Sequence, residues 1–560
     1  MFVLKDWLPK SVLALRRYTK RKLLADGIAG VTVGLVALPL AMAFAIASGM
    51  PPQSGLYCAI VAGFLVSALG GSSSQIAGPT GAFVVVVFGI VTRYGVDGLY
   101  MCTLLAGVLL VVLGATGLGT AVKYIPRPVV VGFTNGIAVI IASTQIKDFF
   151  GLKVDKLPGE FLARLEVLAQ NFRTISSQET GLGCLALVII IVFATKFKRI
   201  PGYIVALFVG TGIVWLFHLP VETIGTRFGG IPSGLPSIHI PRFRIDLIRP
   251  LIPPAITVAM LGAIESLMSA VVSDRMSGDK HNPNVELIGQ GIANIFSPIF
   301  GGLPATGAIA RTATNIRSGG RTPVSGMIHS LTLLAILLFA APMARFIPLS
   351  VLAAILFVVS YNMGEWREIP ELLKLTRLEI GTWLITFALT VFADLTTAVE
   401  AGMILAALVF IRKVTATTKI SRVTPEYVEH GRAHILQDKV IPPYVAVFRI
   451  HGPFLFGATE KLDAVARHLA KLPPVVILRL RNMTAIDATG LQALEQFADR
   501  VHSSGRGLIL CGAPEQPTRL MHQSEFEEHV GRENICESIA KALARARDLH
   551  EELSEVHSVA

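Results

Sequence analysis

The residues best placed to do chemistry in this chain are few, and they stand where charge and irregular backbone are costly to keep. Glu265, in Ala263-Ile264-Glu265-Ser266-Leu267-Met268-Ser269, is the only acidic residue between Asp246 and Asp274, inside an otherwise apolar run. Centring a charge in a bilayer costs about 2.5–3.5 kcal/mol on insertion scales, so an intramembrane carboxylate is a functional candidate by default. Low dielectric favours the neutral form of a carboxyl, so such a group can hold a proton in one state and shed it in another. Ser269 lies four residues on, on the same helical face. The plainer alternative is a permanently charged acid paired with Arg311.

Arg311 closes Gly302-Leu303-Pro304-Ala305-Thr306-Gly307-Ala308-Ile309-Ala310-Arg311, a stretch with an upstream echo in Gly78-Pro79-Thr80-Gly81-Ala82-Phe83. Taken as Gly, Pro, Thr, Gly, Ala in order, the two match apart from one inserted residue on each side of Pro304. Each lies between long apolar runs, where Gly and Pro are unfavourable in an unbroken helix. Pro suits a first helical turn, so both are expected to be places where an interrupted membrane segment restarts as a half-helix. Two such starts aim unpaired N–H groups and positive dipole ends at one spot, which favours an anion. The alternative is a pair of kinks that only ease packing. Arg311 can hold that anion, balance Glu265, or snorkel to a membrane edge. Phe44, on the first apolar segment after Pro39, can wall the same pocket.

These residues need membrane helices to position them, and the composition supplies them. The 560-residue chain is 52% hydrophobic and 16% charged, below the charged fraction of soluble domains. No Asp, Glu, Lys or Arg occurs over 27–92, enough for three passes through a hydrocarbon core. Further charge-free runs cover 98–122, 128–146, 180–195, 200–217, 287–310 and 322–344. Apolar segments are expected near 28–48, 54–70, 81–92, 99–118, 128–147, 182–195, 201–218, 252–273, 287–300, 306–318, 326–342, 348–362, 380–393 and 397–411, about fourteen in all. A basic lead-in, 1–26, carries Lys5, Lys10, Arg16, Arg17, Lys20, Arg21 and Lys22. It is too charged for a cleavable signal and puts the N-terminus in the cytoplasm by the positive-inside rule. An even count of segments returns the C-terminus there. The net charge of +12 fits a cytoplasmic membrane face rather than nucleic acid.

Residues 149–181 have helical spacing and suggest a surface helix; 229–241 are too rich in Pro and Gly for one. The domain plan is therefore 1–26 basic segment, 27–412 membrane domain, 413–440 linker and 441–550 a soluble domain. In the last, strands are expected at 444–450, 475–480 and 507–511, with helices at 459–472, 488–502 and 537–549. That alternation argues for a small α/β domain. Asp487 and Thr489 stand just before its second helix, where an Asp N-cap is the ordinary reading. The five Cys (58, 102, 184, 511, 536) show no paired spacing and look like small buried hydrophobes. No enzyme signature and no metal-spaced His/Cys cluster occurs, and no cofactor is implied.

Gly78-Pro79-Thr80-Gly81-Ala82, Gly301-Gly302-Leu303-Pro304…Arg311, the Ile231-Pro232-Ser233-Gly234-Leu235-Pro236 loop and Asp487-Ala488-Thr489-Gly490-Leu491 resemble the SulP family of anion transporters with a cytoplasmic STAS domain, over about residues 20–545. Ile264-Glu265-Ser266-Leu267 and Lys280-His281…Glu286-Leu287-Ile288-Gly289-Gln290-Gly291 look closest to its bacterial C4-dicarboxylate branch. The resemblance implies an all-α polytopic membrane fold of fourteen segments in two inverted repeats of seven, forming core and gate domains, usually as a homodimer. It maps the anion site to Thr80, Gly81, Ala82, Gly307, Ala308 and Ile309, with Phe44 beside it, and the acidic coupling position to Glu265. The sodium-coupled bicarbonate branch has Asp and Thr where Glu265 and Ser269 stand, and Thr where Ile309 stands, so the resemblance favours proton over sodium coupling. Thr489 falls where related regulators carry a phosphorylated Ser.

The expectation is a proton-coupled importer of sulfate or a small carboxylate in the bacterial inner membrane, with STAS as a regulatory or docking module. The rivals are a sodium-coupled bicarbonate transporter, an uncoupled exchanger or channel, a nucleobase permease of the same membrane fold, and a membrane-anchored regulator.

Overall fold

The computed structural model describes residues 7–16, 18–117, 126–154, 157–197, 201–236, 238, 244–393, 395–423 and 441–559. Lys5, Arg17, the end of the Pro/Gly-rich loop at 239–241 and most of the expected linker, 424–440, lie outside them. The chain divides into two compact units, Met1–Ala406 and Ala407–Ala560.

In the first unit every expected apolar stretch holds helix. The helices are α1 (Lys20–Ala47), α2 (Pro52–Leu69), α3 (Gly81–Ala115), α4 (Arg127–Phe150), α5 (Ser177–Thr195), α6 (Gly202–Phe217), α7 (Ile245–Ser277), α8 (Pro283–Phe296), α9 (Ile309–Arg317), α10 (Pro323–Ala340), α11 (Leu349–Met363) and α12 (Arg377–Phe392); α13 (Leu395–Thr417) follows across the unit boundary. Among the described residues, eight helical stretches are long and apolar enough to cross a bilayer alone. The segments expected at 81–92 and 99–118 are one run, α3, bent at Gly95, whose φ of 75° suits glycine. A ten-residue helix, Phe161–Gln170, fills part of the expected surface stretch.

Packing separates these helices into two groups. One joins α1, α2, α3, α7, α8, α9 and α10; the other joins α4, α5, α6, α11 and α12. Glycine lets the first group close up: a Cβ on Gly107 would lie 2.7 Å from the Gly291 carbonyl oxygen, and one on Gly291 would lie 2.6 Å from that of Gly107. Without water between helices, such close backbone approach is what holds membrane bundles together.

Two short strands cross at the centre of the first group. β1 (Ala77–Gly78) and β2 (Thr306–Gly307) pair antiparallel, Ala77 with Gly307 and Gly78 with Thr306. Extended backbone at membrane depth must find partners inside the protein, and these two segments supply one another. Here the sequence reading needs correcting. Neither proline occupies a first helical turn. Pro79 precedes the N-cap Thr80 of α3, and Pro304 lies before β2, four residues ahead of the N-cap Ala308 of α9. Counting from the helix starts, Thr80 corresponds to Ala308 and Gly81 to Ile309, two residues off the register that matches Thr80 with Thr306.

The second unit is a five-stranded sheet in the order β3 (Lys419–Arg422), β4 (Val445–Phe454), β5 (Val475–Ile486), β6 (Gly507–Cys511), β7 (Ile535–Cys536), parallel except for the β3–β4 edge. One face packs on Leu494, Phe497 and Phe526, the other on Ile539, Ala542 and Ala546. The three expected strands are present; β4 and β5 run further than expected and β6 has the expected bounds. β3 lies inside the stretch expected to be linker, β7 and the helix Glu515–Gln523 were not expected, and the last helix runs Ile539–Val559. The five cysteines are free, but Cys184 is exposed and Cys536 half-buried, so only Cys58, Cys102 and Cys511 are the buried hydrophobes expected of all five.

Candidate functional site

The site begins where two helices start without caps. A helix N-terminus leaves several N–H groups unpaired, and a Ser, Thr or Asp side chain ordinarily takes one of them. Ala308, the N-cap of α9, has no side-chain oxygen to offer. Thr80, the N-cap of α3, has one, but it makes no cap. The N–H groups of Gly81 and Ala82 on α3, and of Ile309, Ala310 and Arg311 on α9, therefore have no partner among the described residues. The N–H groups of Gly307 and Ala308 are not available in the same way. Gly307 donates to Ser266 Oγ (3.1 Å) and Ala308 to the Ile76 carbonyl (2.8 Å). Both residues line the site, but the donors on this side start at Ile309.

The Thr80 hydroxyl instead donates to Glu265 Oε2 at 2.8 Å. Glu265 makes no ion pair with Arg311 within 4 Å, against the structural pairing considered from sequence. The buried Arg311 guanidinium instead donates through Nη2 to the Pro79 carbonyl, and its Nη1 has no hydrogen-bond partner. Acid and base are thus joined through two consecutive residues, Pro79 and Thr80, of the segment that starts α3. Arg311 is 2% exposed, so its guanidinium does not snorkel to solvent.

The crossing is fixed from behind. Ser266 Oγ also bonds Thr306 Oγ1 (2.8 Å), which reaches the Gly262 carbonyl (3.0 Å). Asn294 brackets Ala305 through both its N–H and its carbonyl. Ser269, expected beside Glu265 in the coupling role, bonds Thr312 Oγ1 (3.0 Å) and does not line the cavity.

Both uncapped ends open into a cavity of about 430 Å³. Phe44, Thr80, Gly81, Ala82, Glu265, Gly307, Ala308, Ile309 and Arg311 all line it, so nine expected residues from four separated stretches meet there. Sequence reasoning missed Tyr203, Asn362 and Glu365, which add polar groups to the lining beside apolar α4 and α11 side chains. Glu365 lies three residues past the end of the apolar segment 348–362, and that position was the available signal.

A model of the sulfate permease family matches residues 23–386, and a STAS domain model matches 437–542. The chain belongs to the sulfate permease family. It is 39% identical over 520 residues to a putative sulfate transporter of Bacillus subtilis (strain 168), YvdB, covering 92% of this chain and 97% of that protein. The solved transmembrane domain of a cyanobacterium bicarbonate transporter, BicA, is 34% identical with a TM-score of 0.60, over 70% of this chain and 99% of that one. The murine anion transporter Slc26a9, in its inward-facing state, shares the fold, with a TM-score of 0.86 at 18% identity over 98% and 95% of the two chains. The chain is a multi-pass anion transporter and not an enzyme. None of these three relatives is named for a dicarboxylate, the branch suggested by the Ile264–Leu267 and Lys280–Gly291 motifs.

In this permease's STAS domain, Asp487 caps its helix as expected, accepting from the Gly490 N–H at 2.8 Å, and it also accepts from the Phe456 N–H at 3.1 Å. Thr489 is exposed in the helix's first turn.

Proposed function

We propose that this permease imports sulfate together with protons across the bacterial inner membrane, with small carboxylates, including C4-dicarboxylates, as the second class of cargo. The observation that carries the reading is the pair of uncapped helix starts, at Gly81 and Ile309, facing one cavity with a carboxyl beside them. Each helix end contributes about 0.3–2 kcal/mol toward an anion. Two give at most roughly 4 kcal/mol, which alone corresponds to about millimolar affinity. Arg311 adds a buried positive charge within the first turn of α9.

Glu265 is the proton carrier in this reading. An ionised carboxylate next to an anion opposes it, and a neutral one does not, so loading one proton with one anion removes the repulsion. Sodium coupling has less support, because the Ser269 hydroxyl is engaged by Thr312 and Ile309 offers no side-chain oxygen. Both termini are assigned to the cytoplasm, the basic lead-in on the inner face. The protein works as a homodimer, and the STAS domain docks a cytoplasmic partner, with Thr489 its modifiable hydroxyl.

The test is uptake of labelled sulfate, succinate and bicarbonate into proteoliposomes, with and without an inward proton gradient. Gradient-stimulated sulfate uptake that Glu265→Gln abolishes is the expected result. Uptake indifferent to both gradient and mutation would replace this mechanism with an exchanger or channel.

A further inference from the structure

Three other threonines in this chain hold helix N-cap positions with nearly the backbone of Thr80 (φ −126°, ψ 161°): Thr19 (−123°, 155°), Thr223 (−123°, 170°) and Thr322 (−134°, 164°). Each of the three turns its hydroxyl onto its own helix, accepting from the N–H of Lys22, Thr226 and Val324 respectively. Thr322 also gives its hydroxyl to a carboxyl, Asp26 Oδ2, and keeps its cap, whereas Thr80 gives its hydroxyl to Glu265 Oε2 and makes none. Neither backbone conformation nor a carboxyl partner alone accounts for the missing cap, which leaves the Thr80 hydroxyl, bonded to Glu265, on the lining of the cavity.

We propose that the Thr80 hydroxyl is the part that makes anion binding depend on the proton held by Glu265. The inference rests on the proton-coupled reading above and names the residue that carries the coupling. A threonine hydroxyl has one proton and two lone pairs, and an ionised carboxylate only accepts. While Glu265 is ionised, the Thr80 proton is committed to Oε2, and the hydroxyl shows the cavity only lone pairs. Once Glu265 gains a proton, its O–H donates to Thr80 Oγ1, and the Thr80 proton is free to turn toward an anion beside the Gly81 and Ala82 N–H groups. One proton is taken up, by Glu265, and Thr80 keeps its own. The group thereby changes from repelling the anion to binding it.

The other charged and titratable groups around Glu265 do not compete for this bond. Arg311, from α9, acts on Glu265 by charge but is tied to the Pro79 carbonyl. Glu365 and Tyr203 line the same cavity, and among the described residues neither hydrogen-bonds Glu265. A hydrogen bond to a charged group is worth about 1.5–3 kcal/mol, so the switch is expected to change anion affinity by roughly 10- to 150-fold.

The experiment measures sulfate binding to the purified full-length protein in weakly buffered detergent solution, with an indicator reporting proton uptake. The wild type should take up protons as sulfate binds and should bind sulfate more tightly as the pH is lowered. Thr80→Ser should keep both properties. Thr80→Val should bind sulfate more weakly than the wild type at low pH and take up fewer protons on binding, because only the direct charge of Glu265 then links the two. Glu265→Gln, whose amide donates as a protonated acid does, should bind tightly at every pH. A Thr80→Val protein with wild-type proton uptake would overturn the proposal while leaving proton coupling intact. Complete loss of sulfate binding in Thr80→Val at every pH would make Thr80 an ordinary ligand and also overturn it. A wild type that takes up no proton would instead bring down the proton-coupled reading itself.

Discussion

Replacing Gly307 by alanine asks whether the β1–β2 crossing fixes the two helix starts against each other. A Cβ at this position would overlap Gln75 Nε2 and lie 2.7 Å from Gln75 Cδ and 3.1 Å from Ser266 Cα. Gln75 is 3% exposed, so its side chain has no solvent to swing into. Ser266 is backbone of α7 and holds the Gly307 N–H. Either Gln75 repacks within an occupied interior, or β2 lifts from β1 and carries the start of α9 with it. Overpacking of this kind costs about 1–3 kcal/mol, equivalent to roughly 5- to 150-fold in an equilibrium. Sulfate affinity of the purified variant should fall by at least about 5-fold, with a lower Tm. Gly89→Ala is the control: it lies on the same half-helix as the site, and a Cβ there meets nothing within 4 Å. Alanine is favoured over glycine in a helix by about 1 kcal/mol, so that variant should bind sulfate normally. A Gly307→Ala protein with unchanged affinity and Tm would refute the idea that the crossing sets the geometry of the anion site.

Ser266→Ala removes the oxygen shared by Thr306 and the Gly307 N–H, leaving buried groups unpaired; a loss of about 1–3 kcal/mol should lower the Tm of the purified protein. Asp487→Ala removes the cap on Gly490 and should destabilise the STAS domain by about 0.5–2 kcal/mol, seen as faster amide exchange over 488–503 in the full-length protein. Asp279 lies between α7 and α8. Burial would raise its pKa, but the hydrogen bonds from the Ser73 hydroxyl and the Lys10 ammonium outweigh this and hold it below the usual value. A depressed folded pKa stabilises above the unfolded value, near 3.9, and that stabilisation is lost as the pH falls through the folded value. Asp279→Asn should therefore be less stable than wild type at pH 7 in thermal unfolding, and the difference should close below about pH 4.

The helices were legible because the absence of charge over 20 or more residues has few other physical meanings. The proposed anion site was half legible. The Gly, Pro and Thr of the two echoing stretches marked the places where the chain breaks, but matching residue types set the register two positions off. What fixes the register is where each helix begins, and that depends on a ladder between segments more than 200 residues apart, which no local pattern encodes. For the same reason the N–H groups of Gly307 and Ala308 looked available when Ser266 and the Ile76 carbonyl already hold them. Ser269 was paired with Glu265 by helical spacing, yet its hydroxyl meets Thr312 on a neighbouring helix. In the STAS domain, β3 reads Lys-Ile-Ser-Arg and β7 has two residues, too short for alternation to register.

A transporter must bind its cargo and also let it go, and the arrangement around Thr80 bears on how. Both helix starts forgo the cap that ordinary folding would favour, a loss of about 0.5–2 kcal/mol for each helix. The N–H groups left open are fixed in place by the crossing strands, so little reorganisation is needed when an anion arrives. Their combined pull remains modest, and Arg311 acts from a buried position against the Pro79 carbonyl rather than as a free clamp in the cavity. A site built this way binds weakly by default and strongly only when a second contribution is added. The hydrogen bond between Thr80 and Glu265 is where one proton can add it. In the proposed mechanism, removing the proton on the other side of the membrane returns the site to its weak state, and release then follows from the same bond that strengthened binding.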